Sequence, residues 1–213
     1  DFILAFKPHI EAGEDIIYIG ISSEFSATVN NARLAAQEFP PGRIEIVDSR
    51  NLSAGIGLLV MRAVDFAAEG MSIGDIAEGV RELVPKVETE FIIDTLDYLH
   101  KGGRCSGLTR FVGTMLKIRP SIKVVDGRMM PAQKIRGTRK KALSSLLNTA
   151  LSQKKQISPE RIFVTHSISD DAPFLRDELI KHTDAQEVLI TQAGCVISSH
   201  CGRNTIGILF IKK

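Results

Sequence analysis

The 213-residue sequence predicts an α/β protein of two domains. Residues 1–86 predict a parallel-sheet, Rossmann-like N-terminal domain, truncated as it stands. Residues 87–213 predict a C-terminal α/β domain with a mixed or antiparallel sheet. Three observations carry this prediction. Short β-branched apolar runs alternate with longer amphipathic segments across the first 86 residues. A hairpin signal at Asp126-Gly127 then breaks the alternation. Finally, 44% hydrophobic content over 213 positions is enough to bury one large core or two small ones.

Asp1 to Glu11 reads as a helix feeding the first strand, Asp15-Ile-Ile-Tyr-Ile-Gly-Ile21, which is strand-length, rich in β-branched residues and bounded by Gly13 and Ser22. Ala27 to Phe39 has apolar residues near helical spacing and stops at Pro40-Pro41-Gly42. Arg43 to Val47 is a second strand, Asp48-Ser49 a turn, and Ala54 to Glu69 a strongly apolar helix stopped by Gly70. Ser72-Ile-Gly-Asp75 opens a further helix with an acid three residues after its cap. Strand, helix, strand, helix at this spacing makes a parallel sheet. Two strands are too few to stand as a sheet, so a segment upstream of Asp1 is expected to complete it.

The domain boundary is expected near Lys86. Beyond it, Phe91 to Thr95 is strand-like, and Leu96 to Lys101 begins a helix that Gly102-Gly103 halts. Ser121 to Val125 and Arg128 to Gln133 form a hairpin about Asp126-Gly127, a favoured two-residue turn. Thr138 to Gln153 is a helix, Arg161 to His166 a strand and Ala172 to His182 a helix. Glu187 to Thr191 and Ile206 to Ile211 close the chain as strands, with Ser198 to Thr205 a polar loop before the last.

Composition excludes several classes. Glycine and proline together number 25, without repeat or low-complexity tract, which rules out collagen-like and disordered chains. No apolar run approaches the roughly 18 residues of a membrane span. Three cysteines form no closed disulfide set and no basic-then-apolar leader is visible, so a cytoplasmic, reducing location is expected. Net charge is only +2, but its distribution is uneven: Lys101 to Lys141 holds twelve basic residues against Asp126 alone, +11 within a chain whose remainder is −9. Such asymmetry marks either a solvated basic face or a site for an anionic partner. Nucleic acid is the weaker partner, because Phe111 is the stretch's single aromatic and stacking platforms are missing.

Two loops stand out. Ser22-Ser23 follows a parallel strand and precedes a helix, the carboxyl strand end where ligands of open α/β sheets collect. Backbone N–H groups and the helix dipole favour an anion there, and the hydroxyls of Ser22, Ser23, Ser26 and Thr28 can donate to it. The alternative is plain helix capping by Ser23. His200 sits in the second polar loop. Cys195, His200 and Cys201 lack a fourth ligand and a metal-site spacing, so no metal is expected. His166-Ser167 with Asp170-Asp171 has the parts of a hydrolase triad but no Gly-x-Ser-x-Gly elbow. No phosphate-binding or dinucleotide glycine motif is present, and no cofactor is expected.

Longer strings add a resemblance. Ile19-Gly-Ile-Ser-Ser-Glu-Phe-Ser-Ala-Thr28, Val47-Asp-Ser49, Asp94-Thr-Leu-Asp-Tyr-Leu-His-Lys-Gly-Gly-Arg104, Ile118-Arg-Pro120, Asp126-Gly127, Lys134-Ile-Arg-Gly137 and Ser199-His-Cys-Gly202 resemble the DegV family from about Asp1 to Lys213. The resemblance implies a bacterial fatty-acid-binding protein of two α/β domains that is not itself an enzyme. It implies a long-chain, palmitate- or stearate-like fatty acid held between the domains. It also implies a separate fatty acid kinase to which the carboxylate is presented for acyl-phosphate formation. By position, Ser22, Ser23, His200 and Gly202 match the family's carboxylate-binding loops, and Arg104 and Arg136 match residues facing the kinase. Ala27 stands where the family has glycine, Arg203-Asn204 where it often has Pro-Gly, and the family's upstream Thr-Ser loop has no counterpart in this sequence.

The resemblance leads to three expectations. Ser23, with Ser22 beside it, bonds a carboxylate at the start of the helix that runs to Phe39. His200 faces the same polar end as Ser23. Arg104 and Arg136 are accessible near that mouth. Two rivals remain open at this level: a serine hydrolase acting on acyl esters through Ser23 and His200, and a nucleic-acid-binding regulator using the basic 101–141 segment.

Overall fold

The computed structural model describes residues 1–105, 107–108 and 118–213. Arg110, Phe111 and Lys117 of the basic stretch lie outside the described residues. The chain divides into two compact units, Asp1–Lys86 and Val87–Lys213.

In the first unit the order is α1 (Phe2–Glu11), β1 (Ile16–Gly20), α2 (Thr28–Ala36), β2 (Ile44–Asp48), α3 (Ala54–Ala68) and α4 (Ile73–Leu83). Strands β1 and β2 pair in parallel, with Ile16 opposite Ile44 and Gly20 opposite Asp48. Both strands therefore end together, and the loops beyond them, 21–27 and 49–53, lie side by side. On one face Phe6, Ala32 and Ala35 bury against Phe2, Ile16, Tyr18, Phe39, Ile44 and Ile46. Phe2 meets Tyr18 edge-on with centroids 5.1 Å apart, the geometry ring quadrupoles favour. Helices α3 and α4 contribute the buried Leu58, Leu59, Ala63, Ile76, Ala77 and Val80. The Ser72 hydroxyl accepts from the Asp75 N–H and caps α4, as its sequence signature predicts.

The second unit holds a six-stranded mixed sheet in the order β5-β4-β3-β8-β6-β7. Its strands are β3 (Val87–Ile92), β4 (Ile118–Val125), β5 (Arg128–Arg136), β6 (Ile157–Ser167), β7 (Glu187–Gln192) and β8 (Thr205–Lys212). Among the described strands of this sheet, only β6 and β7 pair in parallel. Asp126 and Gly127 have φ of +49° and +80° and join Val125 directly to Arg128, a two-residue hairpin whose left-handed turn matches strand twist. Helices α6 (Arg139–Ser152) and α7 (Ala172–His182) bury Leu143, Leu146, Leu147, Leu175 and Leu179 against Ile162, Val164, Ile208 and Phe210.

Several elements depart from the sequence reading: β6 begins at Ile157 rather than Arg161, β5 runs on to Arg136, and α2 ends at Ala36 rather than Phe39. Strand β3 begins at Val87 and ends at Ile92, so Asp94 and Thr95 fall in the connection beyond it. Strand β4 begins at Ile118, earlier than its β-branched run suggests. The stretch read as a polar loop before the last strand is mostly helix, α8 (Cys195–Cys201). Ile197 and Cys201, one turn apart, form its covered side, while the Ser198 and Ser199 hydroxyls bond back to the Ala193 and Val196 carbonyls.

Sheet direction places the chemistry. Strand β3 runs into α5 (Asp97–Lys101), and α8 runs into the antiparallel neighbour β8. The two short helices therefore stand at one end of the sheet. The C-terminal ends of β5 and β6 and the start of β4 reach the same end.

Candidate functional site

In the first unit, the 22–28 segment is built by its own hydroxyls. Ser22 is fully buried; its N–H donates to the Asn51 carbonyl at 2.9 Å, and its Oγ accepts from the Glu24 N–H at 3.2 Å. Ser26 and Thr28 share a hydroxyl–hydroxyl bond of 2.6 Å, and Ser26 Oγ also accepts from the Thr28 N–H. The residue preceding α2 is Ala27, with no side-chain cap, so Ser23 is not the helix cap. Its backbone N–H instead donates to the Asp48 carboxylate, 3.3 and 3.4 Å from the two oxygens, and Asp48 also accepts from the Arg50 N–H at 2.9 Å. Among the described residues the Ser23 hydroxyl makes no hydrogen bond. Ser22 Oγ accepts from Glu24 and the Ser26 and Thr28 hydroxyls bond each other, so Ser23's is the one of the four without a hydrogen bond among the described residues; the Asp48 charge beside it is partly offset by two backbone N–H groups.

In the second unit, α5 and α8 pack together around two glycines. Gly102 has an ordinary helical φ, yet a Cβ there would overlap the His200 ring at Nδ1; glycine is required because imidazole lies on its backbone. Gly202 has φ +78° and ψ 171°, a region open to glycine alone, and a Cβ would come 2.5 Å from the Tyr98 ring. The Lys-Gly-Gly-Arg and Ser-His-Cys-Gly strings thus meet as one notch. His200 is half-buried in it, and its ring nitrogens carry no hydrogen bond among the described residues. Helix α5 closes in a Schellman turn: Arg104 N–H donates to the Leu99 carbonyl at 3.0 Å and Gly103 N–H to the His100 carbonyl at 3.0 Å, with Gly103 at φ +68°. The turn leaves Arg104 exposed, its guanidinium donating to the Gly102 carbonyl at 2.8 Å. Arg136 ends β5 at the same sheet end, exposed.

Several groups there went unassigned in the sequence. Asp94 accepts from Arg119 Nε at 3.1 Å, Arg139 Nη1 at 3.4 Å and Asn204 Nδ2 at 3.0 Å. Arg139 also reaches Ser169 Oγ at 2.8 Å and pairs with Asp171. Isolated charges on separate segments carry no spacing signal, which is why only the fold reveals the cluster. It also shows that part of the basic stretch is internal: Arg119 and Arg139 face aspartates, and Lys123 faces Glu88 and Glu90. Arg128, Lys134, Arg136, Lys140 and Lys141 are exposed.

The hydrolase parts do not assemble as a triad. His166 Nδ1 accepts from the Ser169 N–H at 3.2 Å, so Nδ1 is not the donor to an aspartate that a triad histidine uses. Cys195 is exposed and Cys201 buried; burial pushes the Cys201 thiol above its usual range, away from the thiolate a nucleophile or metal ligand needs. Among the described residues no three His, Cys, Asp or Glu side chains gather as a ligand set, and no helix is long and apolar enough to cross a membrane.

A family model described as "Uncharacterised protein, DegV family" matches residues 1–213. A DegV domain-containing protein of Clostridium perfringens is 34% identical over 218 residues, covering 99% of this chain and 74% of the relative. A solved DegV family protein of Thermus thermophilus, described for its fatty acid binding, is 32% identical with TM-score 0.92, covering 100% of this chain and 76% of its own. DegV of Bacillus subtilis, described as a fatty acid binding protein, is 29% identical with TM-score 0.82, over 99% of this chain and 76% of its own.

Proposed function

The chain belongs to the DegV family, and on that premise we propose that it binds a long-chain fatty acid and presents the carboxylate to a separate kinase, performing no chemistry itself. The observation that carries the binding reading is the likeness over 100% of this chain and 76% of the relative, at 32% identity and TM-score 0.92, to a relative described for its fatty acid binding. The two uncommitted polar groups support it. The Ser23 hydroxyl and the His200 ring make no hydrogen bond among the described residues, so each can donate one to a ligand. We assign Ser23 and His200 to the carboxylate, with Ser22 shaping the serine loop and Gly202 the histidine notch.

Energetics divide the labour. Burying about 15 methylenes at ~0.8 kcal/mol each offers about 12 kcal/mol before ordering costs, so the acyl tail supplies affinity. Polar groups prevent an unsatisfied buried carboxylate and fix its direction. A palmitate- or stearate-like chain suits that arithmetic, with no cofactor or metal required. The exposed Arg104 and Arg136 suit docking, since guanidinium forks pair with carboxylates and phosphates in fixed geometry.

Mass spectrometry of the purified protein is expected to show co-purified C16–C18 fatty acid, and Ser23→Ala to weaken palmitate binding about tenfold, the worth of one hydrogen bond to a charged group. A protein that neither retains nor binds fatty acid overturns the reading. For presentation, Arg104→Ala and Arg136→Ala are expected to slow kinase-dependent acyl-phosphate formation, most at low salt, while palmitate affinity stays unchanged. Equal loss of palmitate binding would assign the arginines to the lipid site or the fold instead.

A further inference from the structure

The notch that holds His200 has two walls. One is the C-terminal turn of α5 at Gly102; the other is α8, which leaves through Gly202, Arg203 and Asn204 into β8. A single side chain ties the roots of both. Asp94 lies three residues before α5 begins, and its Oδ2 accepts the Asn204 Nδ2 at 3.0 Å on the exit of α8. Its Oδ1 accepts from Arg119 at the start of β4 and from Arg139 at the start of α6, 3.1 and 3.4 Å away. Those arginines are themselves anchored, Arg119 to the Gly137 carbonyl at 2.9 Å and Arg139 to Ser169 and Asp171.

The exit of α8 needs such a tie. Gly202 and Asn204 both adopt positive φ, +78° and +63°, within three residues. Asparagine tolerates the left-handed conformation better than most residues, but glycine would do so more freely. Asparagine adds the amide that reaches Asp94. The Asn204 N–H also donates to the Ile168 carbonyl at 3.2 Å, which fixes the backbone and leaves the side chain for Asp94. The Asp94 side chain is 32% exposed, so its hydrogen bonds are only partly shielded from water and hold by geometry and number.

We propose that Asp94 is a positioning residue for His200: through Asn204 on one side and the root of α5 on the other, it sets the ring orientation that the carboxylate meets. This rests on the fatty acid reading of the notch for its lipid readout, whereas its spectroscopic readout does not.

The test uses the full chain labelled with 15N-histidine. The sequence has five histidines, and His200→Ala identifies the His200 ring signals. Asn204→Gly keeps the positive φ and deletes only the amide; Asp94→Ala deletes every bond. In the lipid-free protein both variants are expected to shift and broaden the His200 ring resonances, while Ser72→Ala, a destabilising loss of the α4 cap in the first unit, leaves them in place. Palmitate affinity is expected to fall about tenfold in Asn204→Gly, as for one lost hydrogen bond to a charged group. His200 resonances unmoved in Asn204→Gly overturn the proposal, even if Asp94→Ala fails to fold. Moved resonances, with palmitate binding indifferent to His200→Ala as well, would uphold the latch and overturn the carboxylate assignment instead.

Discussion

Glycine carries more of the site than any charged residue does, for steric reasons. Gly102 and Gly202 each stand where a Cβ would enter a ring, His200 in one case and Tyr98 in the other. Gly202 also occupies a backbone region closed to other residues. Gly202→Ala is therefore expected to destabilise the protein by about 1–3 kcal/mol from backbone strain alone, read as a lower urea midpoint at unchanged slope. A variant as stable as the parent would show that the turn relaxes freely. At this scale residue type and position make the Ser22-Ser23 pair and His200 stand out in the sequence. It is silent on which hydroxyl is uncommitted. Four hydroxyls between Ser22 and Thr28 look equivalent in one dimension, and only their hydrogen bonds single out Ser23.

Among the elements, local signals worked where the energetics are local. The Asp126-Gly127 turn and the Ser72 cap are each decided within four residues, and each forms as its signature predicts. Thr138 accepts from the Lys141 N–H and precedes a helix whose first turn holds Arg139, Lys140 and Lys141, the wrong sign for its dipole. The cap is the compensating group. Thr138→Ala is expected to cost about 1 kcal/mol in chemical denaturation; no loss would mean that packing of Leu143, Leu146 and Leu147 alone holds the helix. Signals failed where tertiary contact decides. Helix α8 contains serines, a histidine and cysteines with modest helix propensity, and is helical because α5 covers it. Strand β3 extends back to Val87 because β8 offers partners from Ile206 to Ile211.

Across the whole molecule, the two uncommitted donors belong to different units, Ser23 to the first and His200 to the second. If both bind one carboxylate, their energies must couple. A double-mutant cycle of Ser23→Ala and His200→Ala on palmitate affinity is expected to show a double variant weaker than either single one by less than their sum. The interaction energy should be about 0.5–3 kcal/mol. Strict additivity would separate the two residues and withdraw one from the site. The +11 of the 101–141 stretch is likewise a whole-molecule quantity: pairing of Arg119, Arg139 and Lys123 with acids from β3 and its neighbours reduces the outward charge to the exposed remainder.

Periodicity, capping and turn geometry act over a few residues, so the α/β class, the hairpin and most helices were legible in the sequence. Tertiary structure alone decided that the Lys-Gly-Gly-Arg and Ser-His-Cys-Gly strings share one notch. It also decided that Asp94 ties together segments up to 110 residues apart. The physical reason is strand direction. Strands β3 and β8 are antiparallel neighbours, so the helix after β3 and the helix before β8 are brought to one sheet end, and no local spacing encodes that pairing.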